Sequence, residues 1–190
     1  MEMNSIHAFT LIASLLAVGP AVSAAPPCVS VGSPSNGSLR HGVQLKGSDR
    51  LRVREGRNWG TPEMVEAIER AVDAVHKRHP RTPRLVVGDL SRERGGRFPP
   101  HVSHQSGRDA DLGYYFKGGV EQRWFKRADS ASLDVRRTWT LIESMLEAGT
   151  VEMMFVDYNL QRELYRYARS IKRLDDETLK RYFSYPRARS

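Results

Sequence analysis

A chain of 190 residues that is 39% hydrophobic and 27% charged has room for one domain and enough apolar content for a core. That excludes a disordered tail or a fibrous repeat as its main content. Thirty Lys and Arg against 22 Asp and Glu leave a formal charge of +8, which suits a polyanionic partner (nucleic acid, anionic lipid or an acidic wall polymer) or simply a solvated basic surface.

Residues 1–25 read as a cleaved export signal. Ala8 to Val18 is an apolar run too short to span a bilayer, Gly19-Pro20 breaks it, and Val22, Ser23, Ala24 and Ala25 supply small residues for cleavage. The start carries Glu2 and no Lys or Arg, so the small-residue end decides the reading. A periplasmic or secreted location follows. No later segment is long and apolar enough to cross a membrane, so no stable membrane anchor is expected. Cys28, the single cysteine, follows Pro26-Pro27. Those prolines argue against lipid attachment and against a nucleophile, and an unpaired thiol in an exported chain points to a partner outside it.

Residues 26–57 are rich in Ser, Gly, Pro, Asn and Arg without a sustained period. They read as an irregular arm with a short strand at Val43-Gln44-Leu45. A helix then starts with Thr61 as N-cap, Pro62 in the first turn and Glu63 at the positive end of the dipole. Val65, Ile68, Val72 and Val75 share a face, and Pro80 stops the helix after His79. His76 and His79 have the spacing of metal ligands, but beside Lys77 and Arg78 they read as a solvated helix end.

Arg84 to Gly88 reads as a strand and Asp89 to Pro100 as a loop broken by Gly95-Gly96 and Pro99-Pro100. Ala110 to Phe116 reads as the next strand, ended by Lys117-Gly118-Gly119. Ser132 is expected to cap a helix from Leu133 to about Ala148, with Val135, Trp139, Ile142, Met145 and Leu146 apolar and Gly149 as its stop. Val151 to Val156 reads as a buried strand, and Asp157 as the cap of a helix carrying Leu160, Leu164, Tyr167 and Ile171. A last short helix is expected from Asp175 or Asp176 to Phe183. Helices mixed with short strands, without β-α alternation, indicate an α+β fold.

The chemistry gathers between the two expected strands, in His101-Val102-Ser103-His104-Gln105-Ser106-Gly107-Arg108-Asp109-Ala110-Asp111. Zinc catalysis needs about three protein ligands and an open position. His104 and Asp111 are too far apart for one helical face, but they suit a loop histidine, a turn at Gly107 and an aspartate on the following strand. In an extended Asp109-Ala110-Asp111 both carboxylates share a side, so that one could bind metal while the other bonds to its surroundings. From spacing alone, a capped and solvated turn remains the alternative. The chain has no His-Glu-x-x-His, no Cys-x-x-Cys, no phosphate loop and no Gly-x-Ser-x-Gly.

The run from Ser103 to Asp111 resembles the His-x-x-Gly-x-x-x-Asp signature of zinc peptidases that cut cell-wall peptides. That superfamily includes D-alanyl-D-alanine peptidases, lysostaphin-type enzymes and the hedgehog fold. With Gly88-Asp89-Leu90-Ser91 upstream and His101 three residues before His104, the chain is most similar to the penicillin-insensitive murein endopeptidases, over about Asn58 to Tyr185. The resemblance implies that His104 and Asp111 bind Zn2+, with His101 in a supporting position or touching the metal's water. It implies a substrate in the cross-linked stem peptides of peptidoglycan, and Arg92, Arg94 and Arg97 are the candidates to hold one of its carboxylates.

The same family places a third ligand and the general base in a C-terminal His-x-His-type strand, and no histidine follows His104. The expected fold is therefore a small central antiparallel sheet with flanking helices, its C-terminal strand missing. The expected layout is a signal (1–25), an arm (26–57) and an incomplete murein endopeptidase-like domain (58–190). The expected function is that of a secreted zinc endopeptidase, inactive or weak as this chain, or else a non-catalytic wall-binding remnant of the fold. A nucleic-acid partner has the charge in its favour but no motif, and the export signal argues against it.

Overall fold

Thr61 begins the longest helix among the described residues, as its composition requires. Its side chain accepts from the Met64 amide, Pro62 needs no amide partner in the first turn, and helix α1 runs Pro62–Arg78. Val65, Ile68, Val72 and Val75 are all buried on one face. The helix ends at His79, whose amide still reaches Val75 O at 2.8 Å. The computed structural model describes residues 25–183, so the expected signal, apart from Ala25, lies outside the described residues. Among the described residues no helix is long and apolar enough to cross a membrane.

The architecture is α+β. A hairpin of β1 (Val29–Ser33) and β2 (Asn36–Arg40) occupies part of the segment expected to be irregular. β3 (Val43–Gln44) pairs antiparallel with β5 (Trp59–Gly60), and β4 (Leu51–Arg52) pairs in parallel with β6 (Leu85–Val86). The central sheet is thus three two-stranded pieces, and one of them is parallel.

Two expected strands are absent as strands. Residues 110–116 divide their backbone bonds between two neighbours: on one side Asp111 O accepts from Gly88 N, Asp111 N donates to Asp89 O and Gly113 N donates to Val86 O, while on the other Lys117 N donates to Ser132 O and Tyr115 O accepts from Asp134 N. Each contact yields a single bridge, Val87 with Leu112 and Phe116 with Leu133, and neither grows into a ladder. Residues 151–156 have the strand-like alternation but no ladder partner among the described residues. Val151 and Met154 pack on the core while Met153 and Phe155 are exposed, Phe155 at 91%.

Helix α2 (Val135–Glu147) is capped by Asp134, which accepts from the Arg137 amide, and not by Ser132. Ser132 is engaged instead in a turn around the Asp129 carboxylate. Helices α3 (Tyr158–Ile171) and α4 (Asp176–Tyr182) begin at Asp157 and Asp175 as expected. α2 buries two sides. Leu141 and Met145 join the core under α1 and β6, whereas Trp139 joins a second cluster with Leu160, Leu164, Ala168 and Leu179. This wide burial takes in Glu143, which is 2% exposed and paired with Arg78 at 2.6 Å and Arg173 at 3.3 Å. It also covers the end of α1. His79 is half-buried with Nε2 at 3.0 Å from Thr140 Oγ1, and burial lowers the pKa of both His76 and His79. That helix end is packed, contrary to the solvated expectation.

Candidate metal centre

The loop between β6 and α2 is held open over the core by backbone bonds from several directions. Trp59 N donates to Ser91 O, Leu90 N to Arg57 O and Thr61 N to Gly107 O. From the hairpin side, Leu39 N donates to Arg94 O, and Gln105 N donates to Pro34 O. Gly107 turns the chain at φ 72°, where an added Cβ would stand 2.9 Å from Leu39 and 3.1 Å from Gly60. The turn expected at this glycine is present and only glycine fits it.

On this frame His101, His104 and Asp111 each present a ligand atom, all within 4.8 Å of one another. His104 is 4% exposed. Its Nδ1 lies 2.8 Å from Leu90 O; a carbonyl only accepts, so Nδ1 carries the proton and Nε2 faces Asp111 Oδ1 at 3.3 Å. His101 is the mirror case. Its Nε2 lies 2.7 Å from Asp89 Oδ2, which leaves Nδ1 towards Asp111 Oδ2 at 4.0 Å. Neutral imidazoles held this way bring two lone pairs up to a carboxylate, an all-acceptor cluster that calls for a proton or a cation.

The pKa of His104 reflects that demand. Burial opposes its charging, but Asp111, Asp109 and Leu90 O outweigh burial and raise the pKa above the ordinary value. The donor set of two imidazoles and a carboxylate, with both outer ring nitrogens tied down, fits a divalent metal such as zinc.

The two aspartates divide their work. Asp111 faces the cluster, and Asp109 Oδ2 accepts from the His104 amide at 2.7 Å. That bond holds His104 at φ 64°, a left-handed conformation uncommon for a residue with a side chain.

Three supporting residues were not foreseen in a role. Asp89, buried at 4%, takes a two-pronged bond from Arg57 at 2.7 and 2.8 Å as well as the bond to His101. Burial raises its pKa, and the Arg57 and His101 bonds more than reverse that, leaving it below the usual carboxylate value. Phe98, 1% exposed, lies under both histidines at ring distances of 5.7 and 6.0 Å, with Arg57 4.0 Å from its centroid. The Gly88-Asp89-Leu90-Ser91 run was the available signal for Asp89. Phe98 and Arg57 had none.

Of the three arginines named from sequence, Arg92 lies 5.4 Å from the Phe98 ring centroid. The side chains of Arg94 and Arg97 are exposed and make no hydrogen bond or ion pair with the described residues. Cys28 is a free, partly buried thiol, its pKa raised by burial.

The profile of the penicillin-insensitive murein endopeptidase family matches residues 30–173. Proteins named penicillin-insensitive murein endopeptidase are similar to this chain in Klebsiella pneumoniae, at 34% identity over 88 residues covering 44% of this chain and 31% of that protein. The Haemophilus influenzae protein of that name is 33% identical over 87 residues, 43% of this chain and 30% of the other. The Pectobacterium atrosepticum protein is 29% identical over 156 residues, 71% of this chain and 54% of the other. The matched region spans about a third to a half of the length of these relatives. The chain belongs to the penicillin-insensitive murein endopeptidase family.

Proposed function

We propose, on the premise of that family membership, that the chain is a zinc peptidase unit acting on the peptide cross-links of peptidoglycan outside the cytoplasm. The observation that carries the reading is the all-acceptor cluster of His101, His104 and Asp111, with the second nitrogen of each histidine already engaged. His104 and Asp111 would hold the metal, and His101 would complete the set as a third donor or face the metal's water. Zinc bound there would supply Lewis acidity for the attack of water on an amide. Asp89 keeps the His101 ring turned, Leu90 O fixes the His104 tautomer, and Phe98 shields the ring faces from water. Arg92, over that same ring, is the loop arginine best situated to meet a substrate carboxylate. The basic surface suits a carboxylate-rich polymer, and an export signal in residues 1–25 would deliver the chain to it.

A second reading has its own support. Of the three carboxylates touching the two histidines, Asp111 is assigned to the metal and the other two are committed, Asp89 to Arg57 and His101, and Asp109 to the His104 amide. Neither is free to act as a general base, and want of such a group typically costs two or more orders of magnitude in rate. The chain alone would then bind the wall and hold zinc while cleaving little. Zinc titration of the protein and of Asp111→Ala tests the metal site, and absence of zinc binding by the native protein would sink it. Digestion of purified cross-linked muropeptides separates the readings: rapid zinc-dependent cleavage decides for the enzyme, and binding without turnover for the wall-binding module.

A further inference from the structure

Beside the metal centre a cavity of about 360 Å³ opens between Arg52, Val53 and Arg54 on one wall and Arg123 and Trp124 on the other. We propose that this cavity is a carboxylate-recognising subsite, which takes a carboxylate flanking the amide presented to His101, His104 and Asp111. The inference rests on the reading of the chain as a binder of peptidoglycan peptides.

Three observations carry it. The first is position. Arg54 reaches Asp89 Oδ1 at 3.5 Å, and Asp89 holds His101. Phe125, the neighbour of Trp124, lies so close to Gly88 that a Cβ added there would stand 2.6 Å from its ring and 3.3 Å from Asp111 Cβ. The cavity wall and the metal-facing aspartate thus flank a single glycine. The second is unmet donor capacity. Arg123 is exposed and has no ion pair or hydrogen bond with the described residues. Arg54 is half-exposed and its link to Asp89 is long. The third is a rigid apolar wall. Trp124 is 45% exposed, it packs against Phe125 at 4.9 Å between centroids, and the Arg54 guanidinium sits 5.6 Å from its ring.

Planar guanidinium groups around an aromatic face recognise a carboxylate by paired, charge-assisted hydrogen bonds while the ring covers the adjoining carbon chain. Glu121, just before this wall, is already committed to Arg52 at 2.5 Å and Arg84 at 2.6 Å. It anchors the loop and leaves Arg54 and Arg123 for the ligand.

The test is calorimetric titration of the 190-residue protein with a cross-linked muropeptide dimer and with the same dimer after its carboxyl groups are converted to amides. The acid form should bind roughly tenfold more tightly. Arg123→Ala should lose most of that preference, Arg123→Lys should keep part of it, and neither should alter zinc affinity. Equal binding of acid and amide, binding of neither, or full preference in Arg123→Ala overturns the subsite. Zinc binding without acid preference overturns the subsite alone. Acid preference without zinc binding supports the subsite and counts against the metal reading.

Discussion

Asp89 does more in this structure than any other single carboxylate, since it joins the imidazole of His101, the guanidinium of Arg57 and the edge of the neighbouring cavity. Its replacement by alanine leaves a partly buried Arg57 without its partner, and should destabilise the fold by about 2–3 kcal/mol in chemical denaturation. It also frees the His101 ring, so zinc affinity should fall by roughly 10- to 100-fold. A variant that loses stability but keeps full affinity would remove the orienting role. Glu121 permits a prediction in pH. Its hydrogen bonds to Arg84 and Arg52 lower its carboxyl from 4.5 to about 2. A lowered carboxylate stabilises the fold above its ordinary value and ceases to do so as pH falls through the lowered one. Trp124 emission should therefore hold steady down to about pH 4.5 and change between there and about 2 as the loop lets go, with Glu121→Gln showing the acid spectrum at neutral pH.

At the scale of elements, the helices were legible throughout, but of four expected strands only those at Val43-Gln44 and Leu85-Val86 formed, for a physical reason. A helix satisfies its own backbone, so caps at Thr61, Asp157 and Asp175 together with apolar spacing suffice to locate it. A strand exists only with a partner, and the partner is a property of the whole chain. Residues 110–116 had the composition but had to serve two neighbours, and residues 151–156 had the alternation but no neighbour among those described. Two substitutions of apolar residues mark the contrast. Leu164 is fully buried in the second cluster, so Leu164→Ala should cost about 2–5 kcal/mol in thermal or chemical unfolding. Phe155, at 91% exposure, should tolerate serine within about 0.5 kcal/mol and leave the protein less prone to self-association on gel filtration. A large loss at Phe155 would mean that its side chain is covered in solution.

For the whole molecule, the candidate chemistry gathers on one loop, while two apolar clusters around α1, α2 and α3 form the core. His104 and Asp111 could be named together from the sequence through the resemblance of the short run around Gly107 to a family signature, since spacing alone left a capped turn as the alternative. The stacking of Phe98 and the reach of Arg57 across to Asp89 could not, because they depend on how β5 and the loop lie together. If the cluster binds zinc only when folded, the ion should stabilise the fold by mass action, by about 2.7 kcal/mol at a hundredfold excess over Kd, and so raise the unfolding temperature. A scan with and without chelator measures this, and an unchanged midpoint would deny the coupling.

Every residue that contributes a ligand atom lies within the uninterrupted segment from Asp89 to Asp111, beside its own orienting partners Asp89, Leu90 and Asp109. Closing such a segment costs far less entropy than joining distant parts of a chain. Backbone bonds to Pro34, Leu39, Trp59 and Thr61 tie the segment down, so a site formed there would open only as those bonds let go. An ion held there would exchange at a rate set by the breathing of one loop. The residence time of such an ion would then be separable, by substitution in that loop, from the time for which the protein keeps its fold.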